Sequence, residues 1–115
     1  MRLTKNMKER EDIANTKMPE KIKKINLVCK ARIDKYRKIT SEALKIAEKN
    51  IVKGKEKEAA EIWQMVSCYL SDSEHFEKQG HLVNSFACLN YAHGWLDAGA
   101  RLKIFNVKDS KLFTI

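Results

Sequence analysis

Apolar residues along this chain recur at steps of three and four, the period of helices packed on one side. From Ile22 the positions are Ile22, Ile25, Cys29, Ile33, Tyr36, Ile39, Ala43, Ile46 and Ala47. Nothing between Lys21 and Val52 breaks that stripe. It predicts one helix of roughly 30 residues, about 45–50 Å long, with a fault line near Ala31-Arg32 where the stripe slips by one position. Asn50, Lys53 and Gly54 supply the stop. A second stripe, Ala59, Ile62, Trp63, Val66, Tyr69, Leu70, Ser73 and Phe76, predicts a helix over about 56–79 closed by Gly80. Ser71-Asp72-Ser73-Glu74 has the look of a capping box but lies inside the unbroken stripe, so it reads as helix interior.

The third helix, over about 82–104, is of another kind. Leu82, Phe86, Leu89, Leu96 and Ala100 fall on one side of it, and Val83, Ala87, Tyr91, Trp95, Ala98 and Leu102 on the other. A helix apolar all round must be covered all round. Two companion helices do not suffice, so the surplus surface is expected to meet the N-terminal arm, the C-terminal tail or a second subunit. Gly94 inside this helix costs up to about 1 kcal/mol against Ala, a cost best offset by close approach of a neighbouring helix. Ala87, Ala98 and Gly99 are the other small residues on it.

Residues 1–18 are polar, with Leu3, Met7, Ile13 and Ala14 as their apolar positions, and read as an arm or short helix. Pro19 with Glu20 opens the bundle domain, which runs over residues 19–107. Residues 108–115 form a tail whose Leu112, Phe113 and Ile115 are expected to pack. No strand alternation or hairpin signal is present. The class is all-α: an up-down-up three-helix bundle with an N-terminal helical arm.

Composition narrows the function. The 115 residues make one domain, 43% hydrophobic and 33% charged, which sets aside disordered and fibrous classes. No apolar run reaches membrane-spanning length and no signal peptide opens the chain, so a cytoplasmic location with no membrane partner is expected. The charge is lopsided. Residues 1–57 carry 18 Lys and Arg against 8 Asp and Glu, residues 58–115 carry 5 against 7, and the formal net charge is +8. A basic half makes RNA a possible partner, with Lys23, Lys24, Lys30 and Lys38 as the anion-binding candidates. The scarcity of Arg there favours solvated helix surface instead.

One polar line crosses the third helix. Asn90, His93, Asp97 and Arg101 are spaced three, four and four, so all project from one face. His93 as general acid–base, Asp97 as its orienter and Arg101 as an anion grip would make a small enzyme site. A hydrogen-bonded ladder to a facing element is the structural alternative and the favoured one, since a polar line among apolar neighbours must be paired. No nucleophile stands beside His93. His75 and His81 lack the spacing of metal-ligand pairs, and Cys29, Cys68 and Cys88 have no CxxC spacing and read as small buried apolar residues. Neither a cofactor motif nor a metal motif is present.

The segment Asn90-Tyr-Ala-His-Gly-Trp-Leu-Asp-Ala-Gly-Ala-Arg101-Leu resembles an archaeal family known as domain of unknown function 357. Tyr69, Asp72, His75-Phe76 and Lys78-Gln79-Gly80 fit the same pattern. The resemblance covers roughly residues 32–107 and implies a three-helix bundle from an archaeal cytoplasm, with no activity attached. A helix ending at Gly80 followed by Tyr91-Ala92-x-Gly94 is also similar to HEPN domains, which implies action on or near RNA. Catalytic HEPN members carry an Arg four to six residues before a His, whereas residues 86–89 are Phe-Ala-Cys-Leu. The expectation is a non-enzymatic helical module acting as a homo-oligomer or with a protein partner, the alternative being a non-catalytic RNA-binding module.

Overall fold

A computed structural model describes residues 27–115. The expected arm over 1–18, the helix start at Pro19, and Lys23 and Lys24 lie outside the described residues. Three helices follow in order: α1 (Lys30–Glu48), α2 (Glu56–Lys78) and α3 (Leu82–Arg101). No strand forms among the described residues, and an isolated antiparallel bridge joins Ile51 to Phe105.

The first helix is shorter at both ends than its stripe predicts. Residues 27–29 are not helical, and the N-cap, Cys29, is extended at φ −117° and ψ 165° with no side-chain capping bond. The break therefore falls before the Ala31-Arg32 fault line. At the other end α1 stops at Glu48 rather than Val52, because the next residues pair elsewhere. The Val52 N–H donates to the Ile104 carbonyl at 2.9 Å, and the Asn106 N–H donates to the Asn50 carbonyl at 2.7 Å. Backbone groups that would have continued the helix are satisfied by a distant loop instead.

The two remaining helices end in the same way. After α2, the His81 N–H returns to the Phe76 carbonyl at 2.9 Å and the Gly80 N–H to Glu77 at 3.0 Å. Gly80 takes the left-handed position at φ +79°, which completes a Schellman motif. After α3 the Ile104 N–H returns to Gly99 at 2.9 Å and the Lys103 N–H to Ala100 at 3.2 Å. Here the left-handed residue is Lys103, at φ +60°. The helix thus closes at Arg101, three residues before the expected Ile104.

The topology is up-down-up, with α3 packed against both α1 and α2 while those two touch each other little. Tyr36 meets Phe86 edge-on at 5.2 Å between ring centres, and Thr40 meets His93, so α1 and α3 run parallel. The core is alanine-rich: Ala43, Ala47, Ala59, Ala92 and Ala100 sit with Ile62, Val66, Leu96, Ile104, Phe105 and Phe113. Small residues let the axes approach, and the few large side chains supply most of the apolar area, at about 1.5–3 kcal/mol for each one fully buried. Ser71 to Glu74 lies within α2, as expected.

The glycines of α3 divide. A Cβ on Gly99 would lie 2.5 Å from the Phe105 ring, so close approach there requires glycine. A Cβ on Gly94 would meet open space. The neighbouring helix expected at Gly94 is absent from this face among the described residues.

Candidate functional site

The polar line on α3 divides into an inner and an outer edge. At about 100° per residue His93 stands about 60° round the helix from Asn90 and about 80° from Arg101, with Asp97 between. His93 and Asp97 are half-buried, whereas Asn90 and Arg101 are exposed. Only the inner pair is drawn into the structure.

His93 joins three elements. Its Nε2 lies 2.6 Å from the Leu112 carbonyl oxygen. A carbonyl can only accept, so Nε2 carries the proton. The other ring nitrogen, Nδ1, shares a hydrogen bond with the Thr40 hydroxyl of α1 at 3.1 Å. One imidazole therefore ties α3 to α1 on one side and to the C-terminal tail on the other. Asp97 extends the tie, accepting from the Thr114 N–H at 2.9 Å and from its hydroxyl at 3.3 Å. Its carboxylate lies 3.7 Å from His93 Nε2. Phe113, between the two bonded residues, is buried. No ion pair links Asp97 to Arg101 among the described residues. Thr40, the Leu112 carbonyl and Thr114 are partners that no local pattern signals.

Beside this tie lies an open cleft of about 380 Å³, bordered by Tyr36, Ile39, Asn90, Gly94 and Lys111. Of the polar α3 side chains that line it, His93 and Asp97 are engaged by Thr40, Leu112 and Thr114, while Asn90 is exposed. The geometry suits a strap for the tail.

A second polar seam sits toward the α2–α3 turn. Arg37 donates to Glu77 at 2.8 Å and to the Ser73 hydroxyl at 3.2 Å. Ser73 donates to the Leu70 carbonyl and Ser85 to the Ser73 carbonyl, each at 2.7 Å. Both serines are fully buried, and their small hydroxyls satisfy themselves on backbone oxygens. The α2 stripe places Ser73 on the core face but carries no sign of its partner Arg37.

The cysteines depart from expectation: Cys29 and Cys68 are exposed and Cys88 half-buried, all three free. Cys68 stands about 200° round α2 from buried Val66, on the opposite face. Burial pushes the Cys88 thiol up, and the Asp72 carboxylate adds to the shift. The Tyr69 phenol is raised by burial and then by Tyr91, whose ring centre lies 4.6 Å away. His75 and His81 are exposed. No group of three or more His, Cys, Asp or Glu side chains converges among the described residues.

Of the anion-binding candidates within the described residues, Lys30 and Lys38 are exposed on α1, interleaved with exposed Asp34, Glu42 and Glu48. Tyr36, the aromatic nearest them, already packs on Phe86. Trp63 departs from its place in the α2 stripe: it is 48% exposed, and its Nε1–H donates to Glu48.

The fold and its polar tie define a three-helix bundle whose C-terminal segment is fastened across the first and last helices by a histidine. No helix among the described residues is long and apolar enough to cross a membrane. The chain belongs to the family described as Protein of unknown function (DUF357), whose model matches residues 35–105. No curated protein and no solved structure matches it.

Proposed function

We propose that this domain is a non-enzymatic helical module that associates through the open side of α3, with a second copy of the chain as its simplest partner. The observation that carries the reading is the composition of that side. Val83 and Leu102 are each 69% exposed and Tyr91 is 57% exposed, with exposed Ala87, Gly94 and Ala98 between them. From Val83 to Leu102 the open side bears a single charge, Arg101, in a chain that is one-third charged. Contiguous exposed apolar surface of this kind marks interaction sites. The small residues leave backbone accessible between larger side chains, which favours a packed helix as the partner.

Engagement of His93 and Asp97 by Thr40, Leu112 and Thr114 supports the non-enzymatic half of the reading, since an acid–base pair needs a free face toward its substrate. The test is the mass of the particle in solution. Light scattering on the full chain between about 1 and 100 μM is expected to show a dimer or larger species, and Tyr91→Arg to shift it to monomer with helical content unchanged. A monomer throughout that range, indifferent to Tyr91→Arg, overturns the self-association.

A further inference from the structure

We infer that the end of the bundle where residues 49–55 meet residues 101–108 is a docking surface for the phosphate backbone of a nucleic-acid duplex. The two segments are held side by side by the Val52–Ile104 and Asn50–Asn106 backbone bonds and by the Ile51–Phe105 bridge. Together they carry Lys49, Lys53, Lys55, Arg101, Lys103 and Lys108, all exposed, and not one Asp or Glu. None of the six forms an ion pair among the described residues. Acids flank the two segments, and each accepts a hydrogen bond from a group other than the six cations. Glu48 takes the Trp63 N–H, Glu56 the Gly54 N–H and Asp109 the Lys111 N–H.

Ordinary helix electrostatics accounts for only part of this cluster. Cations near the carbonyl ends of α1 and α3 are favourable, which covers Lys49 and Arg101. Lys55 is the N-cap of α2, the end where the helix dipole disfavours a cation and where Ser, Thr, Asp or Asn would cap. Lys103 occupies the left-handed position at φ +60°, where glycine carries no steric cost. Two of the six thus sit where local rules select other residues, and such breaches cluster at functional sites.

The partner's class follows from what accompanies the charge. Phe105 is buried. Trp63 borders a neighbouring cleft whose rim carries Glu48 and Glu56, carboxylates that repel a strand lying across the ring. Without a free stacking face the surface has no means of holding single-stranded bases. It suits phosphates at fixed spacing, read without regard to sequence.

The experiment titrates the full chain into a fluorescein-labelled 20-base-pair RNA duplex at 50 to 200 mM salt and follows anisotropy. Six phosphate contacts predict a loss of affinity on the order of 10³ over that range. The double variant Lys53→Gln/Lys103→Gly is expected to lower the logarithmic salt slope by about two and to weaken binding at least tenfold at 50 mM. Lys103→Gly alone is expected to raise the melting temperature by about 2–5 °C while weakening binding, a combination that damage to the fold cannot produce. Lys35→Gln/Lys38→Gln, with the same loss of charge on α1 but two or more turns from the surface, is expected to leave the slope within about half a unit. Equal weakening by the α1 pair, or no response to the loop pair, overturns the proposal. So does association with phosphatidylserine vesicles in the absence of duplex binding.

Discussion

The Phe105 ring occupies the space that a Cβ on Gly99 would need, at 2.5 Å from its Cε2 and 2.7 Å from its Cδ2. Five residues along the same helix, Gly94 has no neighbour within 4 Å of its missing Cβ. The two glycines therefore oppose each other in sign. Gly99→Ala gains helix propensity but overpacks a core site that Ile62 also borders, for a net loss of about 1–3 kcal/mol. Gly94→Ala gains about 0.5–1 kcal/mol from propensity alone. Urea unfolding of both variants checks the pair, and a loss of stability in Gly94→Ala contradicts the open face. If α3 pairs with a second copy through that face, Gly94→Ala also weakens the dimer while stabilising the monomer.

The strap on the tail predicts a different kind of loss. His93→Ala leaves the Leu112 carbonyl and the Thr40 hydroxyl without their partner, at about 1–3 kcal/mol for each group that water cannot reach. Because the imidazole holds the tail and α1 together, the damage should spread beyond residue 93. Hydrogen exchange is expected to quicken at Phe113 and Thr114 before the core amides of α2 respond. Asp97→Ala should release Thr114 alone, for about 1 kcal/mol. A His93→Ala protein with unchanged exchange at the tail shows that Phe113 burial fastens the segment without the histidine.

Much of this architecture is written in local periodicity. The starts of α2 and α3 at Glu56 and Leu82, and the turn at Gly80, follow from the stripes and a glycine stop. Where the reading fails, the deciding interaction is distant. Ile51 and Val52 continue the α1 stripe in sequence, yet the loop after α3 captures their backbone. Lys103 ends α3 in a conformation for which a lysine gives no signal, and nothing at Cys29 marks a helix start, because its side chain caps nothing. The line from Asn90 to Arg101 is legible as a line, but its division is not. Which members turn inward depends on Thr40 and Leu112, residues 53 positions before His93 and 19 after it.

The Arg37 seam tests how a half-buried ion pair is held. Arg37 and Glu77 side chains keep only 19% and 22% of their exposure, and the Arg37 Nε is buried without a partner. Glu77→Gln retains an acceptor for the guanidinium and removes the charge, and about 1 kcal/mol is the expected loss after allowance for remaining solvent screening. Glu77→Ala removes the acceptor as well and should cost about twice that, because a charge is left poorly solvated. Ser85→Ala removes a donor whose partner, the Ser73 carbonyl, lies in the helix ladder, at about 1 kcal/mol. Thermal unfolding of the three variants ranks them, and a Glu77→Ala no worse than Glu77→Gln shows that the seam is solvated.

The thiols report on the same faces by chemistry. Cys29 and Cys68 are exposed, whereas Cys88 is half-buried on α3 with its pKa raised by burial and by Asp72. The thiolate is the reactive form, so at pH 8 a chromogenic disulfide reagent should label two thiols rapidly and the third at least tenfold more slowly. A raised folded pKa also sets the sign of a pH effect. The protonated thiol is favoured in the folded chain, so this stabilisation is fully present below the unfolded value of about 8.5. It is lost as pH rises from there through the folded pKa. Wild-type protein should therefore lose more stability between about pH 8.5 and 10 than Cys88→Ala does. Asp72→Asn should narrow that difference without abolishing it, because burial is the larger cause. Three equally fast thiols, or parallel pH curves for wild type and Cys88→Ala, would place the Cys88 sulfur in water and remove the α3 side facing α2 as its shelter.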